Sequence, residues 1–172
     1  ITPFGFMDSL ATAHVQGEHT GLLHPGAESE ARLKALASQA ERFKMKLVMK
    51  PHLWVKGGLW RGKIKPLDAS GASAWDSWWA SYTAFTLYYA ALAEDMNADT
   101  FVVGVELASA VAHAPEQLTA LIEKVRAVYT GKLTYAANWN EQVPDNVWAE
   151  LDTIGVQFYP PLSEATAPQV DE

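Results

Sequence analysis

Residues 100–125, TFVVGVELASAVAHAPEQLTALIEKV, followed at 132–139 by KLTYAANW, decide the fold. Phe101, Val102, Val103 and Val105 form an apolar run too short for a helix and without polar alternation, the pattern of a strand buried on both faces. Leu118, Leu121, Ile122, Val125 and Val128 then recur three and four apart, which predicts an amphipathic helix. Pro115 suits its first turn and Gly131 the position just past its end. A second apolar run begins immediately afterwards. Strand, helix and strand in this order predict parallel pairing through a right-handed crossover. At the end of the first run stands Glu106, a charge that is costly there unless it is paired or used.

The same alternation extends in both directions. ITPFGFM (1–7), KLVMKPHLWV (46–55) and DTIGVQFYPPL (152–162) read as further strands, with Pro3 and Gly5 weakening the first. Leu33, Leu36, Ala37, Ala40 and Phe43 form one helical stripe, and Trp75, Trp78, Trp79, Tyr82 and Tyr89 another. PDNVWAEL (144–151) predicts a short helix between the last two strands. Five strands alternate with helices.

An open doubly wound sheet and a (β/α) barrel both satisfy that order. A dinucleotide-binding sheet should carry a glycine-rich phosphate turn after its first strand, and none is present. A barrel instead gathers functional groups at the C-terminal ends of several strands. Those ends read His52 and Trp54, then Glu106, then Asn138 and Trp139, then Gln157 and Tyr159. The expected fold class is therefore α/β, of the (β/α)8 TIM-barrel type. It is incomplete, because a whole barrel needs about 250 residues and residues 1–172 supply about five βα units in one domain.

Composition narrows the function. The net charge of −7 argues against nucleic-acid and anionic-membrane partners, which require clustered Lys and Arg. No apolar run approaches the ~20 residues of a bilayer-spanning helix. The absence of cysteine excludes disulfides, thiolate metal sites and cysteine nucleophiles. The chain opens at Ile1 with neither an initiator Met nor a leader pattern, which predicts a removed leader or a segment of a longer protein. The compartment is left open, a secreted or cell-envelope parent being compatible. Seven Trp and six Tyr are a heavy aromatic load, and those near strand ends suit the flat apolar faces of sugar rings.

Glu106 is expected at the mouth of the barrel. Desolvation raises a carboxyl's pKa, which suits a general acid near neutral pH; an ion pair at a strand end is the competing role. His52 and Trp54 on the same rim could hydrogen-bond or stack on a sugar, or simply pack. Trp60 and Arg61, in GGLWRGK, could clamp a ring or anchor the loop. Asn140 and Glu141, Glu164 and Asp8 read as loop acids and amides. His14, Glu18, His19 and His24 offer a metal site only weakly, because histidines five apart do not share a helix face. No metal and no cofactor is expected. The Trp75–Tyr89 stripe reads as core.

VVGVEL, then LIEKVRAVYTGKLTYAANW, then LDTIGVQFYPPL resemble glycoside hydrolase family 113, the clan A β-mannanases and relatives. KPHLWVKGGLWRGKI and the Trp-rich helix ending in YYAALAE are similar too. The likeness runs from about residue 1 to about 162. It implies that the strands are the second to sixth of a barrel, without the first, seventh and eighth. Glu106 would be the acid/base, and Asn138, Trp139 and Tyr159 would lie near the cleft. Val105 departs from the polar residue the family tends to place before that Glu. The family's nucleophile sits on the seventh strand, and this sequence ends before one, although a retaining glycosidase needs two carboxyls about 5–5.5 Å apart. The implied function is retaining, endo-β-mannanase-like hydrolysis of an oligo- or polysaccharide, with the nucleophile outside this chain. Two alternatives stand beside it: a non-catalytic carbohydrate-binding or structural barrel fragment, and a metal-assisted hydrolase using His14, Glu18 and His19. Open sheet edges also predict self-association.

Overall fold

The computed structural model describes residues 1–21 and 28–163; His24 and Glu164 lie outside the described residues. In chain order come β1 (Phe4–Met7), α1 (Glu30–Arg42), β2 (Val48–Met49), β3 (His52–Val55), α2 (Trp75–Asp95), β4 (Thr100–Val105), α3 (Ala108–His113), α4 (Pro115–Arg126), β5 (Lys132–Asn138), α5 (Asp145–Ala149) and β6 (Thr153–Gln157). Every ladder between these strands is parallel, in the orders β1-β3 and β2-β4-β5-β6. This is an arc of a (β/α) barrel, with six strands among the described residues where the sequence predicts five.

The expected single strand at 46–55 is two. Pro51 has no N–H to give a ladder, and the hydrogen bonding changes sides around it. Val48 and Met49 pair with Thr100 and Phe101 of β4, whereas His52–Val55 pair with Phe4–Met7 of β1. No ladder joins β3 to β4 among the described residues. The last strand also stops earlier than the sequence pattern suggests, at Gln157, so that Tyr159 lies beyond it.

The core lies between the convex face of the sheet and the helices. Phe101, Val103, Leu133, Tyr135 and Ala137 meet Trp78, Tyr82, Phe85 and Tyr89 of α2 and Leu118, Leu121, Ile122 and Val125 of α4 in one buried cluster. The Trp-rich stripe is thus core, with Trp78 and Tyr82 stacked at 4.9 Å. The other two stripes are only partly so. Leu33 and Ala37 are buried, but Leu36, Phe43 and Val128 are exposed. Helix α4 takes Pro115 in its first turn as expected and ends at Arg126, five residues before Gly131. Gly131 is instead a close-approach position, where a Cβ would run into the Tyr129 ring and hydroxyl.

On β6, Ile154 and Val156 register with Tyr135 and Ala137 and so share the convex, helix-facing side. They are 71% and 50% exposed. The concave face carries a small cluster of Val102, Val105 and Ala136. Lys50 Nζ donates to Gln157 Oε1 at 2.9 Å across that face. The strands concerned are three apart, about 14 Å on a flat sheet, so the bond reports the curl of the arc. No helix among the described residues is long and apolar enough to cross a membrane.

Candidate active site

Between Val102 and Val105 the β4–β5 register shifts, so that β4 carries an extra residue just before its end. Such a bulge re-aims the residues beyond it. Glu106 leaves the strand with φ at +51°, the left-handed region that costs a non-glycine residue about 1–2 kcal/mol. That conformation is held from several sides. The Glu106 N–H donates to Ala136 O at 2.9 Å. The next amide, Leu107 N–H, donates to the Tyr135 hydroxyl at 2.7 Å.

The carboxylate is held as firmly as the backbone. Its Oε2 accepts from Trp60 Nε1 at 3.0 Å and from Arg61 NH2 at 3.1 Å. The Glu106 and Arg61 side chains retain only 13% and 17% of their exposure, so water screens the pair little. Arg61 does more than neutralise. Its Nε donates to Val105 O of β4 at 3.0 Å and its NH1 reaches Leu53 O of β3 at 3.5 Å. The guanidinium therefore bridges the two strands that no ladder joins. Burial lowers the Arg61 pKa, opposed by the charge of Glu106.

Lys50 brings further positive potential to this region, and His52 stands beside it. Burial lowers the Lys50 pKa, Arg61 adds to that, and Glu106 opposes it. The His52 imidazole is pushed down to about 4, first by burial and then by the charges of Arg61 and Lys50. It is neutral at pH 7, with its ring 5.6 Å from Phe4. His52 opens β3 rather than ending a strand, and thus sits deeper than a rim residue.

Trp54 lies two residues further along β3, half exposed and edge-on to Phe4 at 6.2 Å. It lines a groove of about 310 Å³ with Phe6, Asp8, Gln16 and Lys56. Gln16 Nε2 donates to Asp8 Oδ2 there at 3.0 Å. Asn138 closes β5 and, with Trp139, forms a turn in which Asn138 Oδ1 accepts the Trp139 N–H at 2.9 Å. Trp60 and Trp139 are both partly exposed at this end of the arc, while Tyr159 projects into solvent, 76% exposed. A cavity of about 530 Å³ between α1 and the start of β4 lies at the opposite end of the strands.

Glu141 is the residue that sequence reasoning set aside. It is not a solvated loop acid. One oxygen accepts from the Tyr135 hydroxyl and the other from Asn138 N–H at 2.9 Å. Burial raises its pKa, these two hydrogen bonds lower it, and the charge of Glu106 raises it further. His14, Glu18 and His19 do not form a metal site: no group of three or more His, Asp or Glu among the described residues is placed to hold an ion.

The site is thus a tethered carboxylate at one strand end of a barrel arc, with aromatics around it. The model of Glycoside Hydrolase Family 113 matches residues 9–172, and the chain belongs to that family. Two solved structures of GH113 β-1,4-mannanase, one of them a complex, superpose with a TM-score of 0.78 at 28% identity. They cover 95% and 94% of this chain and 52% and 51% of their own. The GH113 β-mannanase of Alicyclobacillus acidocaldarius superposes with a TM-score of 0.75 at 24% identity over 88% of this chain, and shares the fold. The chain thus spans about half the length of these structures. No curated protein matches it.

Proposed function

We propose that this chain carries the acid/base half of a retaining, mannan-type β-glycoside hydrolase, with Glu106 as the acid/base. The observation that supports it best is the double anchoring of the Glu106 carboxylate by Trp60 and Arg61 at the end of β4, in a chain of this family. In the first step the carboxyl would protonate the departing glycosidic oxygen. In the second it would take a proton from water attacking the glycosyl intermediate. Trp54, Trp60, Trp139 and Tyr159 would present faces to sugar rings, and His52 and Asn138 would hydrogen-bond hydroxyls. The choice of mannan-type substrates rests on the superposed β-mannanases.

The second carboxyl would come from outside this chain. Glu141 does not serve, because both of its oxygens are engaged by Tyr135 and Asn138 of β5. That occupancy also favours a second reading, a carbohydrate-binding arc that does not turn over alone. Hydrolysis and binding of manno-oligosaccharides, measured separately, discriminate the two. Turnover by the 172-residue chain that vanishes in Glu106→Gln sinks the binding-only reading. Full activity of Glu106→Gln on substrates with poor leaving groups sinks the acid/base assignment.

A further inference from the structure

We infer that Tyr135 and Glu141 are positioning residues for Glu106: a hydroxyl–carboxylate pair that holds the left-handed turn from which Glu106 presents its carboxyl. This rests on Glu106 being the acid/base and names what aims it.

The Tyr135 side chain points to the convex side of β5, away from the face where sugar would lie, and is fully buried. Its ring passes under Gly104, where an added Cβ would come within 2.9 Å of Tyr135 Cε2. A glycine two residues before Glu106 thus lets a tyrosine from the neighbouring strand reach beneath the turn. The hydroxyl accepts from Leu107 N–H, the amide next after the left-handed residue. Having accepted there, the hydroxyl has one proton to place, and it goes to Glu141.

Glu141 in turn cannot rotate freely. Its second oxygen accepts Asn138 N–H, and its own N–H donates to Asn138 O at 2.9 Å. Two acceptor oxygens facing two fixed donors suit an ionised carboxylate. The donor order therefore runs one way: Leu107 N–H to Tyr135, Tyr135 O–H to Glu141. Both flanks of the Glu106 turn are then tied to β5, one through the Ala136 carbonyl and one through Tyr135. A carboxylate that gives up part of its water is costly to keep, and core packing alone would be served by phenylalanine and a neutral residue. Fixing the direction of the Glu106 side chain is what this pair adds.

The test uses Tyr135→Phe, which keeps the ring, and Glu141→Gln, whose single amide oxygen can accept from only one of the two donors, Tyr135 O–H and Asn138 N–H. In the hydrolytically active protein, kcat on unactivated manno-oligosaccharides should fall about 10- to 100-fold with KM unchanged. Activated aryl mannosides, whose first step needs little acid assistance, should keep their kcat/KM, while their kcat falls because the same carboxyl serves as the base of the second step. The double variant should be no worse than either single one, since the two act as a unit. Glu106→Gln in the same assay calibrates the leaving-group split; if it shows none, the acid/base assignment has failed. The clamp is then judged independently on the 172-residue chain by amide exchange. Leu107 should lose protection in Tyr135→Phe while core amides of β4 keep theirs. Equal losses of kcat/KM on both substrate classes, or an unchanged Leu107 amide, would overturn the inference.

Discussion

Replacing Arg61 with Met probes whether the Glu106 carboxylate is paired as tightly as its geometry indicates. Met keeps much of the aliphatic volume and removes the guanidinium. Three contacts go: the ion pair to Glu106 at 3.1 Å, the bond to Val105 O at 3.0 Å and the longer one to Leu53 O at 3.5 Å. At 3.5 Å the last is worth little. Removing one partner of a largely desolvated pair costs about 3–5 kcal/mol, most of it the uncompensated charge left behind. Here Trp60 Nε1–H remains on the same carboxylate oxygen and offsets part of that. We expect a loss of about 3 kcal/mol at pH 7. The charge accounts for most of it, so Arg61→Met should cost less than half as much when introduced into Glu106→Gln. Urea unfolding of the four proteins, followed by tryptophan fluorescence, gives the cycle directly. A single-variant loss below about 1 kcal/mol, or an identical loss in both backgrounds, would mean that water screens the pair like an ordinary surface ion pair.

The pH dependence should carry the signature of His52. Its folded-state pKa of about 4 lies below the ordinary 6.5, so the unfolded chain binds more protons between those values. Stability should fall as pH drops from about 6.5 to about 4, by at most about 3 kcal/mol, and His52→Gln should lack that slope in urea titrations across the window. Gly5→Ala should destabilise by about 1–3 kcal/mol, because the new methyl would stand 2.6 Å from Val15 Cγ1 and 2.7 Å from Phe85 Cε2; a thermal melt superposable on the parent's would show that the site relaxes freely. Light scattering over a concentration series should detect association through the bare convex face of β6, and Val156→Lys should reduce it; a monodisperse parent at all concentrations would disprove that.

The elements most legible in the sequence were those fixed by local pattern. The apolar run before Glu106, the α2 aromatic stripe and the Pro115 helix start each arise from spacing that tertiary contacts only reinforced. The break at Pro51 was less visible, since KLVMKPHLWV stays apolar through it and only the change of ladder partner reveals two strands. Leu36 and Phe43 have core spacing, but spacing supplies no neighbour, and they are exposed. The short α3 helix carries too few residues for a period to show. The tether of the candidate site was the least accessible. Trp60 and Arg61 precede Glu106 by 46 and 45 residues, and nothing local joins them. Glu141 sits in a polar stretch, NWNE, where burial has no sequence signal at all. What could have found it is the tyrosine six residues upstream on a strand whose alternate positions are small or apolar.

The seam between β3 and β4 gives Arg61 a mechanical duty alongside its electrostatic one. A sheet whose neighbouring strands share a ladder resists prying apart with many equivalent bonds, so that losing one changes little. Here one side chain holds the carbonyl of Val105, reaches toward that of Leu53 and grips Glu106 with the same planar group. The charge carried by that carboxylate and the tightness of the sheet beneath it are consequently a single variable. Anything that neutralises Glu106 slackens a rivet in the wall that supports it, and anything that spreads the wall pulls on the carboxylate.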